Sequence, residues 1–253
     1  MKFGICLPAE NYNRIFNTGA DYMEINASAV YNMSEEYFKK LCDELQDKKV
    51  TYSCNCLVVS DLRLTGNDVD YDKINAYCKK TFSRLADLGV KMLVFGSGNA
   101  KRVPEGFPHE KAWQQLFEVG KIFSDYAGKY SQTIAVEALR YAEVNIVNTI
   151  EDAAYYIKNV DRSNFKMLAD FYHMHQNNES LDVIEKYKDD IVHIHMAGPM
   201  REMPDKNFKS FAEERMSVLK NIGYNGGVSF ECAMSENDDE VRAMIDWYRN
   251  ISE

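Results

Sequence analysis

Short runs rich in apolar and β-branched residues recur along the chain, and amphipathic segments separate them. Phe3–Leu7, Tyr22–Ile25, Thr51–Asn55, Met92–Phe95, Thr133–Glu137, Phe165–Asp170, a stretch opening at Val192 and Gly227–Glu231 read as strands one to eight. The spacing predicts helices over Tyr12–Thr18, closed by Gly19, and over Glu35–Lys48 behind Ser34 as N-cap. Further helices are expected over Tyr71–Leu88, ended by Gly89, over Glu110–Tyr130, and over Thr149–Val160 with Thr149 as cap. Ser180–Lys188, Asn207–Ile222 (stopped by Gly223) and Asp238–Ile251 complete the set. Lys101–Pro108, with two prolines and a glycine, reads as irregular.

Alternating strands and helices call for a parallel sheet. Eight such units in 253 residues match the size of an α/β fold of the closed kind, a (β/α)8 TIM barrel, as a single domain over 1–253. A doubly wound open sheet is the rival, but no G-x-G-x-x-G follows a strand.

Charge and composition narrow the partners. The net charge of -9 argues against a nucleic-acid binder and gives no support for docking on an anionic membrane. No apolar run reaches the roughly 18 residues of a spanning helix, and the apolar run at Met1–Cys6 is too short for a signal peptide. Six cysteines without zinc or redox spacing read as reduced, mostly buried thiols, which fits a cytoplasmic protein. Trp113, Phe117 and Trp247 offer apolar surface either for a homo-oligomer or for the core.

Candidate chemistry gathers in the second half. In Val192-His193-Ile194-His195, alternation puts both histidines on one strand face, with Val192 and Ile194 on the other. Strand five ends in Glu137, strand six in Asp170, strand seven in His195-Met196 and strand eight in Glu231. A barrel collects its catalytic groups at that rim, so four consecutive strands deliver one ligand-type side chain each to one mouth. Three carboxylates there repel one another unless a cation sits between them. Such an oxygen-rich set with one imidazole suits a divalent metal such as Mn2+, with Mg2+ or Co2+ as alternatives. The blander reading is four unrelated polar strand ends facing solvent. Glu143, His173 and Arg201 follow in the loops, positioned to face a ligand held at that centre, or else as ordinary loop charges.

This pattern resembles the sugar isomerase/epimerase superfamily with a xylose-isomerase-like barrel, and most closely the ketose 3-epimerases of the D-tagatose and D-psicose type. Glu137, Asp170, His195 and Glu231 match that family's metal ligands in kind and order, and Gly96-Ser97-Gly98 and Arg201-Glu202-Met203-Pro204 are similar to segments of the wider superfamily. The resemblance implies a metal-dependent isomerase of carbohydrate metabolism that inverts C3 of a free ketose. Glu137 and Glu231 would be its catalytic pair, removing and returning a proton through an enediolate. It also implies substrate contacts from Glu143, His173 and Arg201. Ala138-Leu139-Arg140-Tyr141-Ala142 departs from the family's asparagine-arginine-aromatic sequence after the first ligand. Gly226-Gly227 precedes strand eight, on the wrong rim for a phosphate cradle, which favours an unphosphorylated sugar.

Alternatives on the same site are an aldose-ketose isomerase and an inosose-type dehydratase. An AP-endonuclease-like enzyme would need more histidines than the five present, two of which already have roles, and it works on a polyanion. The fourth is a sugar-binding barrel without catalysis, against which the full ligand set argues.

Overall fold

Eight parallel strands close into a barrel in sequence order in the computed structural model, which describes residues 1–252. They are β1 Lys2–Cys6, β2 Tyr22–Asn26, β3 Thr51–Asn55, β4 Met92–Phe95, β5 Thr133–Glu137, β6 Phe165–Asp170, β7 Ile191–Met196 and β8 Gly227–Phe230, with β8 pairing back onto β1. All eight predicted strands form; β1 lies one residue earlier than expected at both ends, β7 opens one residue earlier at Ile191, β2 runs one residue further and β8 stops one residue sooner. The helices are α1 Arg14–Thr18, α2 Ala27–Asn32, α3 Glu35–Leu45, α4 Tyr71–Asp87, α5 Gly98–Lys101, α6 His109–Gly128, α7 Ile150–Val160, α8 Phe171–Gln176, α9 Asp182–Lys186, α10 Lys209–Asn221 and α11 Asp238–Ser252. No helix among the described residues is long and apolar enough to cross a membrane.

Both predicted caps form. Ser34 Oγ accepts from Tyr37 N at 3.2 Å, and Thr149 Oγ1 accepts from Asp152 N at 3.0 Å while the Asp152 carboxylate accepts from Thr149 N. Such a reciprocal box satisfies two otherwise orphaned donors, and a cap of this kind stabilises a helix by about 1 kcal/mol. Three short helices were not legible in the pattern: α2, α5 and α8, each starting within three residues of a strand end. Two of them are begun by the strand's last side chain, Asn26 accepting from Ala29 N and Asp170 from the first turn of α8. One turn and a half is too little chain for an apolar stripe to show its period.

The two faces of the strands do different work. Outward residues such as Phe3, Ile5, Met23, Phe95, Val136, Met167 and Phe230 are buried beneath the helices, each contributing roughly 1.5–3 kcal/mol. Inside the barrel Met92, Val94, Ala135 and Leu168 form a small apolar plug, and Val192 packs against it. This corrects the expected alternation of β7. The register with β6 shifts between Met167 and Leu168, so β7 carries an extra residue there and Val192 joins the interior rather than the outer layer. The rest of the interior is polar: Tyr22, Glu24, Ser53, His193, His195 and Ser229 are all buried. Gly4 makes that network possible, because a Cβ there would lie 2.2 Å from the Tyr22 ring, whose hydroxyl reaches Ser229 Oγ at 2.9 Å.

Candidate metal centre

Glu137 and Asp170 are the last residues of β5 and β6, His195 is the penultimate residue of β7, and Glu231 follows β8 directly. Parallel pairing sets Asp170 beside His195, so the four side chains leave the barrel at one level. His195 Nδ1 lies 3.4 Å from Glu137 Oε1, 3.6 Å from Asp170 Oδ2 and 3.6 Å from Glu231 Oε2. One donor atom from each residue falls within 4.8 Å of all the others.

Each ligand-type group is held from behind. Asp170 divides its oxygens: Oδ1 accepts from Tyr172 N at 2.7 Å and His173 N at 2.9 Å, which leaves Oδ2 for the centre. Glu137 lies against β4's end so closely that a Cβ on Gly96 would sit 2.1 Å from Glu137 Oε2. Behind it, the fully buried Lys101 donates to the Glu137 carbonyl at 3.2 Å and the Phe95 carbonyl at 3.5 Å. Burial pulls the Lys101 ammonium down to about 7, against the pull of Glu137. Asn55 Nδ2 donates to Glu231 Oε1 at 2.8 Å, and the Arg201 guanidinium pairs with Glu231 Oε2. His195 Nε2 meets Glu24 Oε1 at 2.8 Å.

Electrostatics show what this cluster lacks. Glu137 Oε1 and His195 Nδ1 are buried with no hydrogen-bond partner. With Nε2–H directed at Glu24, the Nδ1 lone pair of a neutral imidazole would face carboxylate lone pairs on three sides, an arrangement that needs a positive charge. Burial opposes a charged His195, but Glu24 and Glu231 hold the imidazole well above its usual range. Burial raises Glu137; it also acts on Asp170 and Glu231, yet His173 and His195 hold Asp170 down and His195 and Arg201 hold Glu231 down. Three carboxylate oxygens and one imidazole nitrogen are also a donor set that fits a divalent cation of the hard to borderline kind.

Of the residues expected to face a ligand, His173 sits on α8 rather than in a loop, because Asp170 caps that helix. Its Nε2 is 3.8 Å from Glu137 Oε1 and unpartnered, and its Nδ1 accepts from Arg140 N at 3.3 Å. Arg201, at φ 68°, reaches Glu143 Oε1 at 3.6 Å and lies 5.1 Å above the Tyr172 ring. Glu143 also accepts from Arg140 Nε at 2.7 Å. Glu137, Glu143, His173, Arg201 and Glu231 therefore line one cleft of about 450 Å3. A second lobe of about 410 Å3 shares Asn26 with it and is lined by Leu7, Pro8, Ala9, Met33 and Asn55, with Glu24 behind them. A larger groove of about 800 Å3 beside α7, between Tyr155, Arg162 and Tyr187, contains none of these residues.

Glu24, Asn55, Lys101 and Arg140 escaped the sequence reading. Glu24 carried the one usable signal, an acid in the middle of the otherwise apolar Tyr22-Met23-Glu24-Ile25. The six cysteines are free, as expected, but only Cys54 and Cys78 are fully buried; Cys56 is exposed and lines the cleft. Trp113 packs against Phe117 and Tyr155.

Known proteins share this architecture. A D-psicose 3-epimerase of Agrobacterium fabrum is 21% identical over 222 residues, covering 86% of this chain and 76% of its own. A 3-dehydro-D-guloside 4-epimerase of Escherichia coli is 24% identical over 132 residues, or 51% of this chain and 50% of its own. A crystal structure of D-psicose 3-epimerase in the presence of D-fructose superposes with a TM-score of 0.85 at 16% identity, covering 100% of this chain and 99% of that one. The model of the xylose isomerase-like TIM barrel family matches residues 13–251, and the chain belongs to that family.

Proposed function

We propose that this protein is a divalent-metal-dependent sugar epimerase acting at C3 of a free ketose, with Mn2+ as its metal. The observation that carries the reading is the meeting of Glu137, Asp170 and Glu231 oxygens around His195 Nδ1 at 3.4–3.6 Å, next to a cleft lined by Glu137, Glu231, Glu143, His173 and Arg201. The names of the similar proteins, D-psicose 3-epimerases among them, support the substrate class. The six free thiols are compatible with a cytoplasmic setting.

Glu137, Asp170, His195 and Glu231 would hold the metal. When bound, a divalent cation supplies the charge that polarises a carbonyl and acidifies the adjoining C–H. The protein's own groups do the rest. Glu137 and Glu231 come from β5 and β8, three strands apart around the barrel, so their carboxylates reach a substrate carbon from different sides. One takes the proton from that carbon, and the other returns a proton to the opposite face, which inverts the centre. His173 Nε2, free of any partner, can bond a sugar oxygen beside Glu137. Glu143 and Arg201 orient hydroxyl groups and fix the carbon between the two carboxylates.

Incubation with Mn2+ and a panel of free ketoses in D2O, followed by NMR, tests this: the expected product is the C3 epimer with deuterium at that carbon. Glu137→Gln and Glu231→Gln should each lower kcat by about 10²–10⁴-fold. Unimpaired epimerisation in either variant would remove that residue from proton transfer. An aldose or a dehydrated product would assign the site to the isomerase or dehydratase alternatives.

The second lobe favours another reading, 4-epimerisation of a keto-glycoside. Its apolar walls at Leu7, Pro8, Ala9 and Met33 give a substituent room that a single sugar ring in the first cleft does not use. A higher kcat/KM on a 3-keto-glucoside than on any free ketose would select it.

A further inference from the structure

The polar half of the barrel interior converges on one side chain that the proposed chemistry does not use directly. Glu24 stands in the middle of β2 with 0% of its surface exposed. Its Oε2 accepts from Ser53 Oγ at 2.6 Å and Ser229 Oγ at 2.8 Å and meets His193 Nε2 at 3.0 Å; its Oε1 meets His195 Nε2 at 2.8 Å and accepts from Cys6 Sγ at 3.6 Å. Groups from β1, β3, β7 and β8 thus close around a carboxylate carried by a fifth strand. No lysine or arginine is among its partners. Taking a carboxylate out of water costs several kcal/mol, and packing alone does not call for one here. The same interior is filled elsewhere by Met92, Val94, Ala135 and Leu168 without any polar group.

We propose that Glu24 is the positioning residue of the metal centre, setting the tautomer and ring orientation of His195 so that Nδ1 is presented as a ligand. This rests on the reading that Glu137, Asp170, His195 and Glu231 hold a divalent cation. An ionised carboxylate only accepts, so the nitrogen facing it carries the hydrogen. Nε2–H on His195 leaves Nδ1 unprotonated in the metal-bound state and aimed at the three carboxylates 3.4–3.6 Å away. Hydrogen bonding to the carboxylate also raises the imidazole's basicity as a ligand. His193 gains a role in the same way. Its Nε2 engages the other Glu24 oxygen and Ser229, and Tyr22 in turn bonds Ser229, so the carboxylate cannot rotate away from His195.

Mn2+ titration of metal-free protein, followed by EPR, gives a readout independent of turnover. Glu24→Gln should bind Mn2+ about 10–100-fold more weakly than wild type. Its kcat at saturating Mn2+ should fall by less than its activity at limiting metal, a split that a general loss of folding would not produce. Nitrogen-15 NMR of Mg2+-loaded wild type needs no variant: the expected spectrum has His195 protonated at Nε2 alone, and a proton on Nδ1 overturns the proposal even where Glu24→Gln does not fold. Wild-type affinity in Glu24→Gln overturns the role of Glu24 and leaves the metal centre standing. A wild-type protein that takes up no Mn2+ overturns the metal centre, and this role with it.

Discussion

At position 96 a single added carbon would collide with the group on which the proposed chemistry turns. The nearest atom to such a Cβ is Glu137 Oε2 at 2.1 Å, and the next is Glu137 Cδ at 3.2 Å. Glu137 cannot simply swing aside, because His195, Asp170 and Glu231 crowd the same centre. Gly96→Ala should therefore lower the melting temperature, because the buried overlap has to be relieved by strain, and lower kcat/KM by roughly 10²-fold, the effect of displacing a reacting group by about 1 Å. Steady-state kinetics beside a thermal melt check this, and a fully active Gly96→Ala enzyme would show that Glu137 has room to move. Asp170 follows the same economy of placement, one oxygen capping α8 and the other facing the centre.

Among the elements, α8 joins the centre to the helical shell. Its first turn hangs on Asp170, it carries His173, and just beyond its end Glu179 Oε1 accepts from Ile150 N at the start of α7 at 2.8 Å. Burial, with Asp152 and Glu151 nearby, pushes the Glu179 carboxyl up to about 7 despite that hydrogen bond. In the unfolded chain a glutamate titrates near 4.3. The folded state therefore binds the proton more tightly, so this group's stabilisation is complete below about pH 4 and is lost as pH rises through about 7. Glu179→Gln keeps an acceptor for Ile150 N and carries no charge. Relative to wild type, its melting temperature should match at about pH 3.5 and be higher at about pH 8. Equal melting temperatures at both values would show that Glu179 titrates as an exposed acid.

For the whole molecule, closure of the barrel brings together groups far apart in sequence: His195 and Glu24 are separated by 171 positions, Asn55 and Glu231 by 176. A cation bound there ties β5, β6, β7 and β8 together in the folded state only. At a free Mn2+ concentration of about 100 times Kd, linkage adds about 2.7 kcal/mol to stability. For a chain this long that corresponds to a rise in melting temperature of roughly 5–10 °C. Differential scanning calorimetry with Mn2+, then with EDTA, should show the rise and its reversal. No shift at saturating Mn2+ would count against metal held by these four residues.

Much of this was legible in the chain itself. Period-two and period-3.6 patterning was enough for the eight strands and the longer helices between them, because burying one face of each element is a local demand on sequence, though not for α2, α5 and α8. The rule that barrels work at the C-terminal ends of their strands then singled out Glu137, Asp170, His195 and Glu231. Tertiary structure decided the rest. Val192 faces the interior because β7 slips one residue against β6, which no property of β7 alone announces. The short helix under His173 depends on Asp170, one of whose oxygens caps it while the other faces the centre. Glu24, Asn55 and Lys101 acquire their places only when β2, β3 and the turn after β4 close against β5, β7 and β8. Local periodicity records which face of an element is buried; which buried group lies behind His195 is settled by register and closure, interactions between residues that the chain keeps far apart.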